Sequence, residues 1–172
     1  MRVYPRQDMT AKIFRIYRDV RFSNDKTPYK DHASGVLIVG AKKEPNTGAG
    51  ALYLQIGPEE GGAAGMWSLE GDELARFRKA VLDGRRGAQL EKLLKPLLAE
   101  GYSITSAAQL KRAPKGVDPA HPRVALLRRK GLALDFPAIP REVRHSKELL
   151  EWCVGRAREV APVVRWLLDV VA

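Results

Sequence analysis

The first third of the chain contains alternating hydrophobic and polar residues, a pattern that predicts β-strands. Residues 13–22 alternate, with Arg18 as the exception, as expected for a strand with one buried face. Two more strand-like runs, 36–41 and 51–56, are separated by a segment with proline, asparagine and glycine. Because these residue types favour turns, the two runs are expected to form an antiparallel hairpin. A glycine-rich stretch, 61–65, then leads into a further predicted strand at Met66.

Later in the chain, hydrophobic residues recur three and four positions apart, which predicts amphipathic helices. One helix is expected over about 69–83, with Ser68 as its N-cap. A second helix is expected over about 87–99 and contains a proline, Pro96, which predicts a kink or a break.

The last third of the chain is expected to add one strand and two helices. Asp118 followed by proline predicts the start of a short basic helix that ends near Gly131. Residues 132–136 are expected to return to the sheet as a strand. Ser146 is expected to cap a long apolar helix that contains Pro162.

These elements predict an α+β fold, in which an antiparallel sheet from the N-terminal half packs against helices from the C-terminal half. We expect a single domain over residues 1–172, with an irregular segment at 1–11, mainly strands over 12–67 and mainly helices over 68–172. If the helices cover one face of the sheet, the opposite face is available for a site.

Composition and charge place the chain among globular proteins with anionic partners. Hydrophobic residues make up 45% and charged residues 29% of the sequence, which favours a folded core over disorder. Thirty Lys and Arg against twenty Asp and Glu give a net charge of +10. That charge favours nucleic acid, phosphorylated metabolites or acidic proteins without selecting one. Seven of the basic residues lie within 111–130, where Asp118 is the one acidic residue.

Cysteine usage and hydropathy indicate a cytoplasmic protein without a membrane partner. Cys153 is the only cysteine, so no intrachain disulfide can form, and its helical pattern predicts a buried structural thiol. No apolar run approaches the length of about 18 residues that a membrane span needs.

The segment 14–32, which we call the charged segment, is the part of the chain richest in candidate chemistry. It contains six basic side chains, three carboxylates and two tyrosines. Arg18 falls on the apolar face of the predicted strand, where an unpaired charge costs several kcal/mol. We therefore expect Arg18 either to pair with a carboxylate or to lie at the rim of a cleft.

Asp19 and Asp25 are the candidate catalytic residues of this segment. A purely electrostatic nucleic-acid surface gains nothing from carboxylates in its middle, so they indicate another role. They are expected to orient arginines, to bind Mg²⁺ together with a phosphate, or to act as a general base. The cofactor is otherwise unknown, and the spacing of the three histidines and one cysteine does not predict a structural zinc site.

Basic and aromatic side chains of two segments are expected to form one ligand-binding basin, because guanidinium groups suit phosphate and carboxylate oxygens. The candidate residues are Arg15, Tyr17, Arg18, Arg21, Lys26, Tyr29, Lys30, Lys111, Arg112 and Lys115. The alternative interpretation is a salt-bridge network that only fixes the strand and its exit loop. Neither a P-loop nor a dinucleotide-binding glycine pattern is present.

Three ordered blocks of sequence resemble the bacterial family called domain of unknown function 2461. The first is Phe-Arg-Ile-Tyr-Arg-Asp-Val-Arg-Phe-Ser at 14–23 with Asp-Lys-Thr-Pro-Tyr-Lys at 25–30. The second runs from Leu-Tyr-Leu-Gln-Ile-Gly-Pro at 52–58 to Gly-Met-Trp at 65–67, and the third is Leu-Lys-Arg-Ala-Pro-Lys-Gly at 110–116. The resemblance covers about residues 13–168. It implies a domain identity but no established activity.

The resemblance also implies a helical segment before the first block, which this chain is expected to lack. We would then expect apolar surface to be uncovered. Three functions are therefore considered: a mixed-charge pocket for an anionic, phosphate-bearing small ligand, with or without catalysis; a nucleic-acid-binding module; and a non-catalytic interaction domain.

Overall fold

The structure is a computed structural model that describes residues 9–22, 24–39 and 50–171. Its sheet has six strands in the order β1-β2-β3-β4-β6-β5, and all neighbours are antiparallel. The strands are β1 (Met9–Ile13), β2 (Ala33–Val39), β3 (Gly50–Ile56), β4 (Gly61–Met66), β5 (Ser103–Thr105) and β6 (Leu132–Asp135). The helices are α1 (Gly71–Leu82), α2 (Gly84–Ala99), α3 (Val124–Leu127), α4 (Arg141–Arg144) and α5 (Glu148–Val171).

One face of the sheet carries the hydrophobic core. Leu52, Ala64, Leu134 and Ile104 lie opposite one another on adjacent strands, and all four belong to or pack against the core cluster. The same cluster includes buried residues of α1, α2 and α5, such as Phe77. These helices therefore cover this face of the sheet.

The next row of residues points away from the helices, because successive strand residues alternate between faces. Tyr53, Ala63, Asp135 and Ser103 form this row on β3, β4, β6 and β5. None of them is fully buried. We call this side of the four strands the open face.

The predicted α+β fold is confirmed, as are several of its elements. Residues 36–39 and 51–56 of the two runs pair in the β2–β3 hairpin, while residues 40–41 and the predicted turn lie outside the described residues. The predicted strand over 132–136 is β6. The predicted helices correspond to α1, α2 and α5, and the last two continue through their prolines.

Hydrogen bonds at the helix starts decide which residues act as caps. The Ser146 hydroxyl accepts the N–H of Glu148 at 3.1 Å, so its predicted capping role at α5 is confirmed. Asp83 caps α2 by accepting the N–H groups of Arg85 and Arg86 at 3.0 and 2.7 Å. The prediction of Ser68 as the cap of α1 was wrong, because that helix starts at Gly71.

Three further predictions were wrong. The expected strand over 13–22 is replaced by β1, and the following residues are irregular, with Phe22 96% exposed. The glycine-rich stretch 61–65 does not merely precede a strand but belongs to β4. The basic helix expected from Asp118 is limited to the four residues of α3, because turns occupy most of the preceding residues.

The fold also contains β5 and α4, which no sequence pattern indicated because both are too short for periodicity. Cys153 is buried, as predicted, and burial raises the pKa of its thiol. Among the described residues, no helix combines the length and apolar character needed to span a membrane.

Candidate functional site

The charged segment extends the β1–β2 hairpin as a looser pair of chains. The N–H of Phe14 donates to the Ser34 carbonyl at 2.9 Å, and the N–H of Lys30 donates to the Ile16 carbonyl at 2.7 Å. Tyr17 and Tyr29 lie opposite each other with ring centroids 5.4 Å apart. The two rings therefore pack against each other, tilted by 38°.

Arg18 pairs with Asp25, which confirms one of the two positions expected for it. The Arg18 guanidinium also donates to the Thr27 hydroxyl at 2.9 Å. Asp25 accepts both the N–H and the hydroxyl of Thr27, at 2.9 and 2.8 Å. The Thr27 N–H and hydroxyl and the Arg18 guanidinium lower the pKa of Asp25 to about 2.

The other charges of this segment are also mostly paired within it. Arg21 donates to both carboxylate oxygens of Asp19, at 2.9 and 2.6 Å, and lowers the pKa of Asp19. The Lys26 ammonium donates to the Val20 carbonyl at 2.9 Å. Arg15 and Lys30 make no side-chain hydrogen bond or ion pair with any residue that the structure describes.

These contacts support one of the three roles considered for the two carboxylates, the orientation of arginines. A carboxylate with a lowered pKa is a weak general base at neutral pH. Catalysis by Asp19 and Asp25 stays a prediction that the geometry does not favour. Their network lies at the surface rather than in the core, since both carboxylates are more than half exposed.

The second basic block divides into structural and free side chains. Arg123 pairs with Glu91 at 2.9 Å and donates to the Val81 carbonyl at 3.0 Å. Arg128 donates to the Leu110 carbonyl at 2.7 Å. Four other basic residues of this block are exposed, and their side chains have no hydrogen bond or ion pair among the described residues: Lys111, Arg112, Lys115 and Lys130.

The structure does not bring the two basic blocks together. The charged segment joins β1 to β2 at one edge of the sheet, and residues 106–131 join β5 to β6 at the other edge. Lys12 and Ser103 lie in one row across the sheet. The last residue of β1, Ile13, lies on one side of this row, and the last residue of β5, Thr105, lies on the other side. The blocks occupy diagonally opposite corners, separated across the sheet by about four strand spacings, or roughly 19 Å. This placement does not favour one common basin, which stays a prediction.

The open face holds a different group of polar side chains, centred on β3. The Tyr53 hydroxyl donates to the Gln55 side-chain carbonyl at 2.6 Å, and the Gln55 amide donates to the Glu59 carbonyl at 2.6 Å. These two bonds fix the side chains of Tyr53 and Gln55 in line along the strand. The ring of Phe14 lies 6.4 Å from that of Tyr53, so the charged segment borders the open face.

The small residues of β4 form the floor of a cavity on this face. The cavity measures about 300 Å³ and lies between Tyr53 and Gln55 on one side and Asp135 on the other. A Cβ added at Gly61 would find no heavy atom within 4 Å, so space is open above this position. At one end, Glu60 pairs with Arg144, the last residue of α4.

Asp135 is an ionisable residue on the open face, and its pKa is raised. Partial burial raises its pKa, while hydrogen bonds from Ser103 and Thr105 and the charge of Arg129 act in the opposite direction. The Ser103 hydroxyl lies 3.5 Å from the nearer carboxylate oxygen. A partly buried carboxyl beside a cavity is a typical functional group.

Sequence reasoning did not identify Tyr53, Gln55 or Asp135 as candidate site residues. The signal was present as polar residues at alternate positions of two otherwise apolar strands. Within residues 9–22, 24–39 and 50–171, no group of three or more His, Cys, Asp or Glu side chains could hold a metal ion.

Comparison with known proteins agrees with the resemblance of the three sequence blocks. No curated protein and no solved structure is significantly similar to the chain. The model of one family, described as conserved hypothetical protein (DUF2461), matches residues 2–166. Because that match spans nearly the whole sequence, the chain belongs to the DUF2461 family.

Proposed function

We propose that this protein binds a small polar molecule on the open face, between Tyr53 and Asp135. The observation that carries the proposal is the cavity over the glycine and alanine floor of β4, flanked by fixed hydrogen-bonding side chains. Sites of this kind combine a preformed concave surface with a few placed polar groups.

The lining favours a ligand that donates hydrogen bonds. Asp135 and Glu59 provide carboxyl groups, and the Gln55 carbonyl is held in place by Tyr53. A neutral polyol or an amine suits these acceptors better than the phosphate-bearing ligand that the sequence predicts, because carboxylates repel a phosphate. Asp135, whose pKa is raised, is the candidate for proton transfer if the bound molecule reacts.

A thermal-shift screen tests the proposal with four probe classes: neutral sugars, polyols, primary amines and phosphorylated metabolites. We expect a neutral or cationic class to raise the Tm of the wild type, and we expect Asp135→Asn or Gln55→Ala to remove that rise. Glu100→Gln is the matched control, because it neutralises an exposed carboxylate outside the cavity. Stabilisation by phosphorylated compounds alone, unchanged in Asp135→Asn, would contradict the proposal.

A second candidate function is nucleic-acid binding at residues 111–130. The observation in its favour is the set of exposed, unpaired basic side chains there, of which Lys111, Arg112 and Lys115 are neighbours in one loop. The logarithm of the affinity for duplex DNA should fall linearly with the logarithm of the salt concentration, with a slope of about −0.9 per neutralised phosphate. Replacing the three residues by alanine should reduce that slope, and the absence of binding at low salt would exclude this function.

A further inference from the structure

The outer surface of the helical layer carries a groove along α2, bordered by α5 and, at one end, by α1. Three cavities of about 390, 590 and 420 Å³ adjoin one another along it. The first shares Arg86 and Val170 with the second, and Leu93 and Pro162 with the third. The groove follows α2 from Asp83 to Leu97, which corresponds to about 21 Å of helix.

The floor of this groove is apolar. Leu93, Leu97 and Val170 line it together with the ring of Pro162. Trp166 also lines the groove and is only 5% exposed. Its indole N–H has no hydrogen-bond partner among the described residues. An unpaired buried donor costs free energy until an acceptor reaches it.

The rim of the groove is basic once internally paired groups are set aside. Asp83 is occupied as the cap of α2, and Glu159 pairs with Arg156 at 2.9 Å. Arg76 donates to the Val171 carbonyl at 2.7 Å. The charged rim side chains without a hydrogen bond or ion pair in the described part of the chain are Lys79, Arg86, Lys92, Arg165 and Asp169. Four of these five are cations.

We propose that this groove binds an amphipathic helix of a partner protein, with an apolar face and acidic flanks. An elongated apolar floor of about 21 Å fits roughly 14 residues of a bound helix. Such a helix contacts an apolar groove through its residues i, i+3, i+4 and i+7. The cationic rim favours a helix with acidic residues on both sides of its apolar face. The groove lies on the helical layer, so this inference does not depend on ligand binding at the open face.

The test uses a labelled, designed peptide of about 16 residues with leucines at helical spacing and glutamates on both flanks. Fluorescence anisotropy should show saturable binding to the wild type, and a scrambled peptide of the same composition should bind at least about tenfold more weakly because it lacks an apolar face. The indole N–H resonance of Trp166 should shift on binding, while those of Trp67 and Trp152 should not.

Charge reversal of the rim provides the matched comparison. The double variant Lys92→Glu and Arg165→Glu should weaken binding about tenfold or more, because both residues are exposed rim cations. The control variant Arg141→Glu and Lys147→Glu changes the charge equally at exposed positions outside the groove and should bind normally.

Several outcomes would overturn the proposal. Equal binding of the scrambled peptide or no loss in the rim variant would remove the groove as the site. Rim-dependent binding of anionic phospholipid vesicles or duplex DNA, without binding of the helical peptide, would assign the surface to another partner. Dimerisation in sedimentation that the rim variant abolishes would make a second copy the occupant.

Discussion

At the residue scale, two aspartates show opposite responses to their surroundings. Asp25 is exposed but accepts three hydrogen-bonding groups, and its pKa is lowered to about 2. Asp135 is partly buried, and its pKa is raised. Hydrogen bonding favours the charged form of the first, whereas desolvation disfavours the charged form of the second. The first therefore stabilises local structure, and the second is suited to function.

Asp135→Asn should raise the Tm at pH 7. A carboxyl whose folded pKa lies above its unfolded value weakens the folded state as pH rises through the two values, and removal of the charge relieves this. The difference in Tm from the wild type should shrink below the unfolded pKa of 3.8. Differential scanning calorimetry across pH measures the effect. A lower Tm for the variant at pH 7 would show that the ionised carboxylate is stabilising.

The Thr27 amide should report the titration of Asp25, because its N–H donates to that carboxylate. Since the folded pKa is below the unfolded value, the contribution of Asp25 to local order is complete above about 3.8 and is lost as pH falls through about 2. An NMR titration should place the midpoint of the Thr27 shift near pH 2. The Asp25→Asn variant should show no such step, and a midpoint near 3.8 in the wild type would contradict the structure.

At the element scale, β4 shows how small residues permit both close packing and an open surface. Gly65 has a φ of 142°, and an added Cβ would overlap the Leu132 carbonyl and lie 2.6 Å from the Ala133 Cα. Gly61, in the same strand, has open space in the same test. One glycine allows β6 to approach, and the other keeps the open face accessible.

Gly65→Ala should destabilise the protein by about 3 kcal/mol, from backbone strain and displacement of β6. Gly61→Ala is the matched control and should change the free energy of unfolding by less than about 0.5 kcal/mol. Urea unfolding of both variants measures the difference. Equal effects would mean that the approach of β6 does not depend on Gly65.

At the scale of the whole molecule, strand order separates the two basic blocks. Both blocks are close to the ends of strands, and only the order β1-β2-β3-β4-β6-β5 assigns them to opposite edges. The loops that carry them start at diagonally opposite corners of the sheet. Each block therefore requires its own functional test.

Spin labels at positions 26 and 115 should report this separation. In a Cys153→Ala background, we expect a distance of about 20 Å or more between cysteines introduced in place of Lys26 and Lys115, since roughly four strand spacings lie between the blocks. Pulsed electron paramagnetic resonance measures that distance. A value near 10 Å would restore the single basin.

The sequence alone determined the elements whose signal lies among neighbouring residues. Apolar periodicity predicted α1, α2 and α5, and strand-like runs flanking turn residues predicted the β2–β3 hairpin. It also limited Arg18 to pairing or to a cleft rim, because an isolated charge on an apolar face is costly. The alternation over 13–22 was misleading, because beyond Ile13 the chain pairs only at isolated points, such as the Tyr17–Tyr29 bridge.

Only the tertiary structure decided which face of the sheet stays open and which segments meet. The row of Tyr53, Ala63, Asp135 and Ser103 depends on pairing of the β3–β4 hairpin with β6 and β5, which lie much later in the chain. The partial burial that raises the pKa of Asp135 likewise depends on distant residues. Local patterns encode the type of an element, whereas strand order and register arise from long-range pairing and packing, which no short stretch of sequence contains.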